Sequence, residues 1–176
     1  MKKFGAVILG TFLFFAGSFA KEYNYNFSVS PLSFLLGNIN AKMEFYNIKG
    51  RKIIPAVEGS YWYFTSEGAD YSAWTIGVSG RIYKDKKLLK GWFSQVGTEL
   101  GKVSVDTDTL GSGSALAFGL YALGGYRWTF GSEGKYTVDV GLGAGYYTGS
   151  VEINSETYDA FKGFLAKGIF ALGANF

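Results

Sequence analysis

Polar and apolar residues alternate with a period of two along most of the chain beyond Lys21, in runs broken by clusters of Gly, Ser, Lys and Asp. This is the pattern of β-strands whose two faces meet different surroundings. Tyr25, Phe27 and Val29 alternate with Asn24, Asn26, Ser28 and Ser30, and Ile39, Ala41, Met43 and Phe45 alternate with Asn40, Lys42, Glu44 and Tyr46. The same reading predicts strands over 24–30, 39–46, 56–63, 74–83, 92–100, 116–128, 137–146 and 163–176, eight in all. The segment Pro31–Gly37 is apolar without alternation, and strand, loop and a patch lying at an interface all stay open for it.

Charge separates the two faces. The face that holds Phe27, Ile39, Val57, Trp74, Val96, Leu120, Val140 and Phe170 has no Asp, Glu, Lys or Arg on any of the eight strands. The strand charges all lie on the other face: Lys42, Glu44, Glu58, Arg81, Glu99, Arg127, Asp139 and Lys167. A water-soluble barrel wets its outer wall and places charges there. An uncharged outer band around a polar interior is the pattern of a barrel that spans a membrane. A closed sheet is also the only all-β way to pair every backbone group within hydrocarbon. The fold class expected is therefore all-β, an eight-stranded antiparallel up-and-down transmembrane barrel.

The first twenty residues read as an address. Lys2 and Lys3 precede an apolar run from Phe4 to Phe19, and Ser18 and Ala20 are small residues at −3 and −1 of a cut before Lys21. This is the layout of a secretory signal peptide, with a retained membrane helix as the competing reading. The expected organisation is thus a signal peptide over 1–20 and one barrel domain over 21–176. Of 17 basic and 14 acidic residues, the cut removes two basic ones, which leaves 15 against 14 and no electrostatic case for a nucleic-acid partner.

The strand order gives two chemically different ends. If the chain terminus is periplasmic, the short turns at 49–52, 84–90 and 131–135 share its side. They hold eight cations, among them Lys49, Lys86 and Lys135, against Asp85 and Glu133. The opposite segments near 65–70, 102–114 and 148–160 hold seven carboxylates, among them Glu67, Asp70 and Asp106, against Lys102. Aromatics mark both boundaries: Tyr61, Tyr63, Trp74, Tyr146 and Phe164 on the loop side, Phe45, Trp92, Tyr126, Trp128, Tyr136 and Phe176 on the turn side.

The signal-peptide layout, the alternating strands and a terminal Phe176 with Phe170, Leu172 and Ala174 spaced by two before it resemble the bacterial outer-membrane β-barrels. The size is similar to the eight-stranded OmpA/OmpX-type members, and the likeness covers Lys21–Phe176. The stretch Ser30-Pro-Leu-Ser-Phe-Leu-Leu-Gly-Asn38, followed by Glu44-Phe-Tyr46, also resembles uncharacterised small barrel families that open with a similar segment. The resemblance implies a monomer in the outer membrane of a bacterial cell, in contact with outer-membrane lipid and lipopolysaccharide. It further implies that Phe176 is the signal presented to the barrel-assembly machinery.

Composition narrows the chemistry. The chain of 176 residues has no Cys and no His, which removes thiol nucleophiles, Ser-His-Asp triads and HExxH zinc sites. The enzymatic outer-membrane barrels use a histidine, so their activities do not carry over, and no enzyme, cofactor or metal site is expected. Asp106-Thr-Asp-Thr-Leu-Gly111 looks like the start of an EF-hand loop, but Leu110 and Ala117 stand where calcium ligands belong, which leaves a solvated acidic loop. Gly141-Leu-Gly-Ala-Gly145 lies inside an alternating strand and opens no helix, so inward space rather than dinucleotide binding explains it. The eight interior charges sum to zero and read as a paired plug, because an eight-stranded lumen is only wide enough for side chains. Arg127 and Asp139 are expected to meet across the hairpin at 131–135. The functional expectation is a structural or surface-interaction barrel that acts through its extracellular loops. A narrow channel for small solutes or ions, lined by the same charges, is the alternative.

Overall fold

The computed structural model describes residues 23–35, 37–46, 52–66, 69–85, 89–107, 111–153 and 156–176. Eight antiparallel strands run β1 (Tyr25–Val29), β2 (Asn38–Phe45), β3 (Ile54–Ser66), β4 (Ala69–Asp85), β5 (Lys90–Thr107), β6 (Gly111–Phe130), β7 (Tyr136–Ile153) and β8 (Glu156–Asn175). Each pairs with the next, and β8 pairs with β1, so the sheet closes into an up-and-down barrel in sequence order. No helix among the described residues is long and apolar enough to cross a membrane. The expected signal peptide lies outside the described residues.

The register fixes the barrel's geometry. Paired residues followed round from Val29 through Ala41, Gly59, Ile76, Leu100, Phe118 and Thr148 arrive on β8 at Lys162. Val29 itself faces Leu172, so the circuit closes with a stagger of ten residues. For eight strands that stagger tilts them by about 40° from the axis, and each residue climbs about 2.5 Å.

Burial follows the period of two. Asn26, Lys42, Glu44, Ser79, Arg81, Gln95, Arg127, Thr137 and Asp139 are buried in the lumen. Ile76, Val78, Val96, Leu120, Val140 and Leu142 on the other face are exposed. The strands are longer than the sequence periodicity indicates: much of 102–114 and 148–160 is hairpin that continues beyond the aromatic residues rather than loop. The polar Ser, Gly and Asp residues there hide the alternation, while the ladder continues through them.

The segment whose structure the sequence leaves open becomes a short helix, α1 (Pro31–Leu35), between β1 and β2. At the opposite end, Gly131 and Gly134 take φ of 78° around a 3₁₀ turn, Ser132–Gly134, which brings β7 back beside β6. A side chain in that left-handed region would be strained, and glycine is free to adopt it. The start of β1 and the C-terminal Phe176 meet on this turn side, with Asn24 and Tyr25 backbone N–H groups donating to the Phe176 carbonyl at 3.0 and 2.9 Å.

Candidate functional site: the lumen and its two ends

The lumen contains two separate charge clusters. The first lies near the turn side, where β2, β4, β6 and β7 send Lys42, Glu44, Arg81, Arg127 and Asp139 inward. Arg127 pairs in register with Asp139 and grips it with two parallel hydrogen bonds, Nε to Oδ1 at 2.5 Å and Nη2 to Oδ2 at 2.6 Å. Arg81 Nη1 reaches the same carboxylate at 2.5 Å and Glu44 Oε1 at 2.8 Å. Glu44 also accepts from Arg127 Nη1 at 2.8 Å, and Lys42 Nζ lies 2.9 Å from its Oε1. Each carboxylate thus bridges all three cations, since Lys42 lies 3.5 Å from Asp139 as well.

Neutral side chains complete the cluster. Tyr83 donates to Glu44 at 3.0 Å, the Tyr46 hydroxyl accepts from Arg127 at 2.6 Å, and Gln95 Oε1 accepts twice from Arg81 at 2.9 and 2.6 Å. The Arg81 guanidinium lies 3.9 Å from the Phe93 ring centre. Below it, Asn26 donates to Thr137 and Asn175 at 3.1 and 2.8 Å, and Asn175 donates to the Gly134 carbonyl at 2.7 Å. Glu44 and Arg127 are wholly buried, and Arg81 and Asp139 are within 1% of it. Buried charges this close are tolerable only with such dense pairing. Together these side chains form one continuous buried network at the turn-side end of the lumen.

The second cluster lies toward the loop side. Lys167 pairs with Glu99, Tyr147 donates to Glu99 at 2.6 Å, and the Tyr121 hydroxyl donates to Glu58. Lys167 Nζ also stands 3.9 Å from the Tyr121 ring centre. Glu58 has no cation within salt-bridge distance among the described residues, although Lys42 is its register partner on β2. The eight charges that sum to zero in sequence therefore divide by height: three cations and two carboxylates below, one cation and two carboxylates above.

The neutral participants, Tyr46, Tyr83, Gln95, Tyr121, Tyr147, Asn26 and Asn175, are not singled out by charge. The signal that finds them is inward register combined with a polar tip on a long side chain. Phe176 ends the chain beside β1, its ring 6.3 Å from that of Tyr25.

Beyond the loop-side aromatics, the extended hairpins of β3 to β6 form a polar cleft of about 720 Å³ on their outer face, lined by Tyr63, Asp70, Ser72, Lys102, Ser104 and Asp106 among others. Asp70 faces Asp106 across the β4–β5 ladder and accepts from Thr65 Oγ1 at 2.6 Å. Asp106 of the EF-hand-like stretch is therefore a wall of this cleft, and residues 108–110 of that stretch lie outside the described residues. Compared with protein-family models, with curated proteins and with solved structures, the chain matches none.

Proposed function

We propose that the chain is an integral barrel of the bacterial outer membrane, delivered by a cleaved signal peptide and anchored as a monomer. In this reading it does not conduct through its lumen and engages surface partners at its loop end. The observation that supports the membrane reading best is a matched pair of aromatic rings of residues with no charge between them. On β7 the outward Tyr136 and Tyr146 stand ten residues apart, with Val138, Val140, Leu142 and Ala144 between them. At about 2.5 Å of rise per residue this is about 25 Å, the height of the apolar band of an outer-membrane barrel. Trp92, Tyr126 and Trp128 cluster at the turn-side ring, Tyr126 lying edge-to-face 5.4 Å from Trp92 and tilted 4.7 Å from Trp128. Tyr146 and Phe164, 5.1 Å apart, belong to the loop-side ring.

The buried five-charge cluster supports a closed lumen over a channel, because an ion crossing it would have to part bidentate, desolvated pairs. The cleft on the β3–β6 hairpins then lies beyond the apolar band, at the height of lipid head groups and lipopolysaccharide sugars. Purified protein refolded into planar bilayers should insert, run in heat-modifiable form on gels, and give no steady single-channel steps. Steady conductance would replace this reading with the narrow channel, and failure to enter the bilayer would end the membrane reading itself.

A further inference from the structure

Among the described residues, the strand ladder of the barrel is interrupted on one side. β8 is twenty residues long but β1 has five, and the two pair only over Leu172–Asn175. Among the described residues, β8 from Ala171 back toward the loop end shares a ladder with β7 alone. Across the gap, β2 begins at Asn38, and β3 beyond Trp62 pairs only with β4. The wall between them is made by α1, which packs against β2 and β8 without a ladder to either. Gly37, at the end of this segment, approaches the Tyr63 carbonyl of β3, its Cβ position 3.9 Å from that oxygen.

The bare edge shows in burial. Everywhere else within the described strands, exposed residues alternate with more buried ones. Phe164, Leu165 and Ala166 are exposed in succession, Phe164 at 78% and the lumen-facing Leu165 at 55%. Around Gly163, also lumen-facing, no atom lies within 4 Å of a Cβ position. The rim is apolar on both faces, with Leu32, Ile39 and Phe164 outside and Leu165 and Ile169 inside. Two cations flank this stretch: Lys167, held by Glu99 inside, and the exposed Lys162 on the outer face one residue beyond Gly163 toward the loop end.

We propose that this interruption is a lateral opening through which a single hydrocarbon chain from the surrounding bilayer enters the loop-side half of the lumen. The proposal rests on the membrane reading above. The mouth of the opening lies at the level of the Tyr146–Phe164 ring, where interfacial water reaches the β8 backbone, and the unpaired edge runs down from there to Ala171, opposite Asp139, beside α1. The apolar stretch Phe164–Ala166 favours an apolar occupant, with Lys162 at the outer mouth placed to meet a lipid head group, and an eight-stranded lumen is too narrow for more than one chain. The five-charge cluster below blocks onward passage, so a molecule admitted sideways leaves only sideways or through the loop end. The opening thus joins the bilayer to the cell exterior and not to the periplasm.

The natural absence of cysteine allows a direct test in the full-length barrel. A fluorophore is attached through Gly163→Cys at the opening, Val103→Cys on the lumen face of β5 across the barrel, and Leu142→Cys on the outer face of β7. Each variant is checked for heat-modifiable folding, with Leu165→Cys as a second site at the opening. The proteins are placed in phosphatidylcholine vesicles brominated in the upper part of one acyl chain. The expected result is strong quenching at Leu142 and, at Gly163 or Leu165, quenching about threefold above that at Val103, since a closed wall would keep bromine from both lumen sites alike. Quenching at the opening no greater than at Val103, with Leu142 still quenched, would overturn the lateral opening and leave the membrane reading standing. Loss of quenching at Leu142 would overturn both. A cross-linkable dimer joined through the β8 edge, with the opening unquenched, would show that a second copy and not lipid covers it.

Discussion

Arg127 on β6 and Asp139 on β7 are register partners joined by two parallel hydrogen bonds, and neither side chain is more than 1% exposed. Bidentate guanidinium–carboxylate geometry between buried side chains makes the two charges depend on each other. Arg127→Met alone and Asp139→Leu alone should each lower stability toward denaturant, by about 3–5 kcal/mol where a buried charge loses its partner. The Arg127→Met loss should fall at the low end, because Arg81 still holds Asp139 at 2.5 Å. The double variant should recover part of the loss and give a coupling energy above about 1 kcal/mol. Near-zero coupling would mean that both groups are solvated and that the lumen is wet at this level.

The composition of that cluster makes a second prediction about sign. Three cations surround two carboxylates, so removing a cation brings the cluster to neutrality and removing a carboxylate doubles its excess charge. Lys42 is also the least buried of the five, and its second contact is the long one at 3.5 Å. Lys42→Met should therefore cost at most about 1 kcal/mol, whereas Glu44→Gln, which leaves Arg81 and Arg127 facing one carboxylate, should cost about 3–5 kcal/mol. Chemical denaturation of the two refolded variants in the same vesicles checks the order. A Lys42 variant less stable than the Glu44 variant would show that net charge does not govern the cluster.

The alternation of Lys42, Glu44 and Tyr46 against Met43 and Phe45 is enough to place both charges of β2 in the lumen, since one register decides every side chain of a strand. The approach of Arg127 to Asp139 is legible because a short hairpin at 131–135 leaves only one way for the flanking strands to meet. Two features are not legible in that way. The grouping of Glu44 with Arg81 and Arg127, far apart in sequence, depends on the stagger of the whole barrel, which no local pattern encodes. The helix at Pro31–Leu35 forms where an apolar run shows no period, and the shortness of β1 emerges only when β8 is seen to continue past it.

Glycines on the inner wall differ in how closely the neighbouring strand approaches. A Cβ at Gly143 would stand 2.1 Å from the Ala122 carbonyl and 2.5 Å from the Leu123 Cα, so the β6–β7 ladder itself would have to shift. Gly163 meets no atom within 4 Å. Gly143→Ala should destabilise the barrel by about 1–3 kcal/mol, the usual effect of overpacking. Gly163→Ala should change stability by less than about 0.5 kcal/mol. Equal effects at the two positions would place the open space of the lumen elsewhere than beside the β8 edge.

Phe176 offers a backbone and a ring whose contributions one pair of variants can separate. Its backbone closes the seam: the carbonyl accepts from Asn24 and Tyr25, and its N–H donates to the Tyr25 carbonyl at 3.0 Å. With β1 only five residues long, these bonds are a large share of what joins the first strand to the last. Its side chain, 41% exposed at the outer rim and near the Tyr25 ring, is the part an assembly machinery could read. Phe176→Asp keeps the backbone bonds and removes the aromatic ring, at a cost of about 1 kcal/mol in ring contact. Deletion of Phe176 removes both. In cells, both variants should accumulate less folded barrel than the parent while still leaving the cytoplasm. After purification in urea and refolding into vesicles, where no machinery acts, Phe176→Asp should recover nearly parental yield and the deletion should not. If Phe176→Asp folds poorly in both settings, the ring serves the seam and not recognition. If it accumulates in cells at parental levels, the assembly role of the terminal aromatic is wrong for this chain.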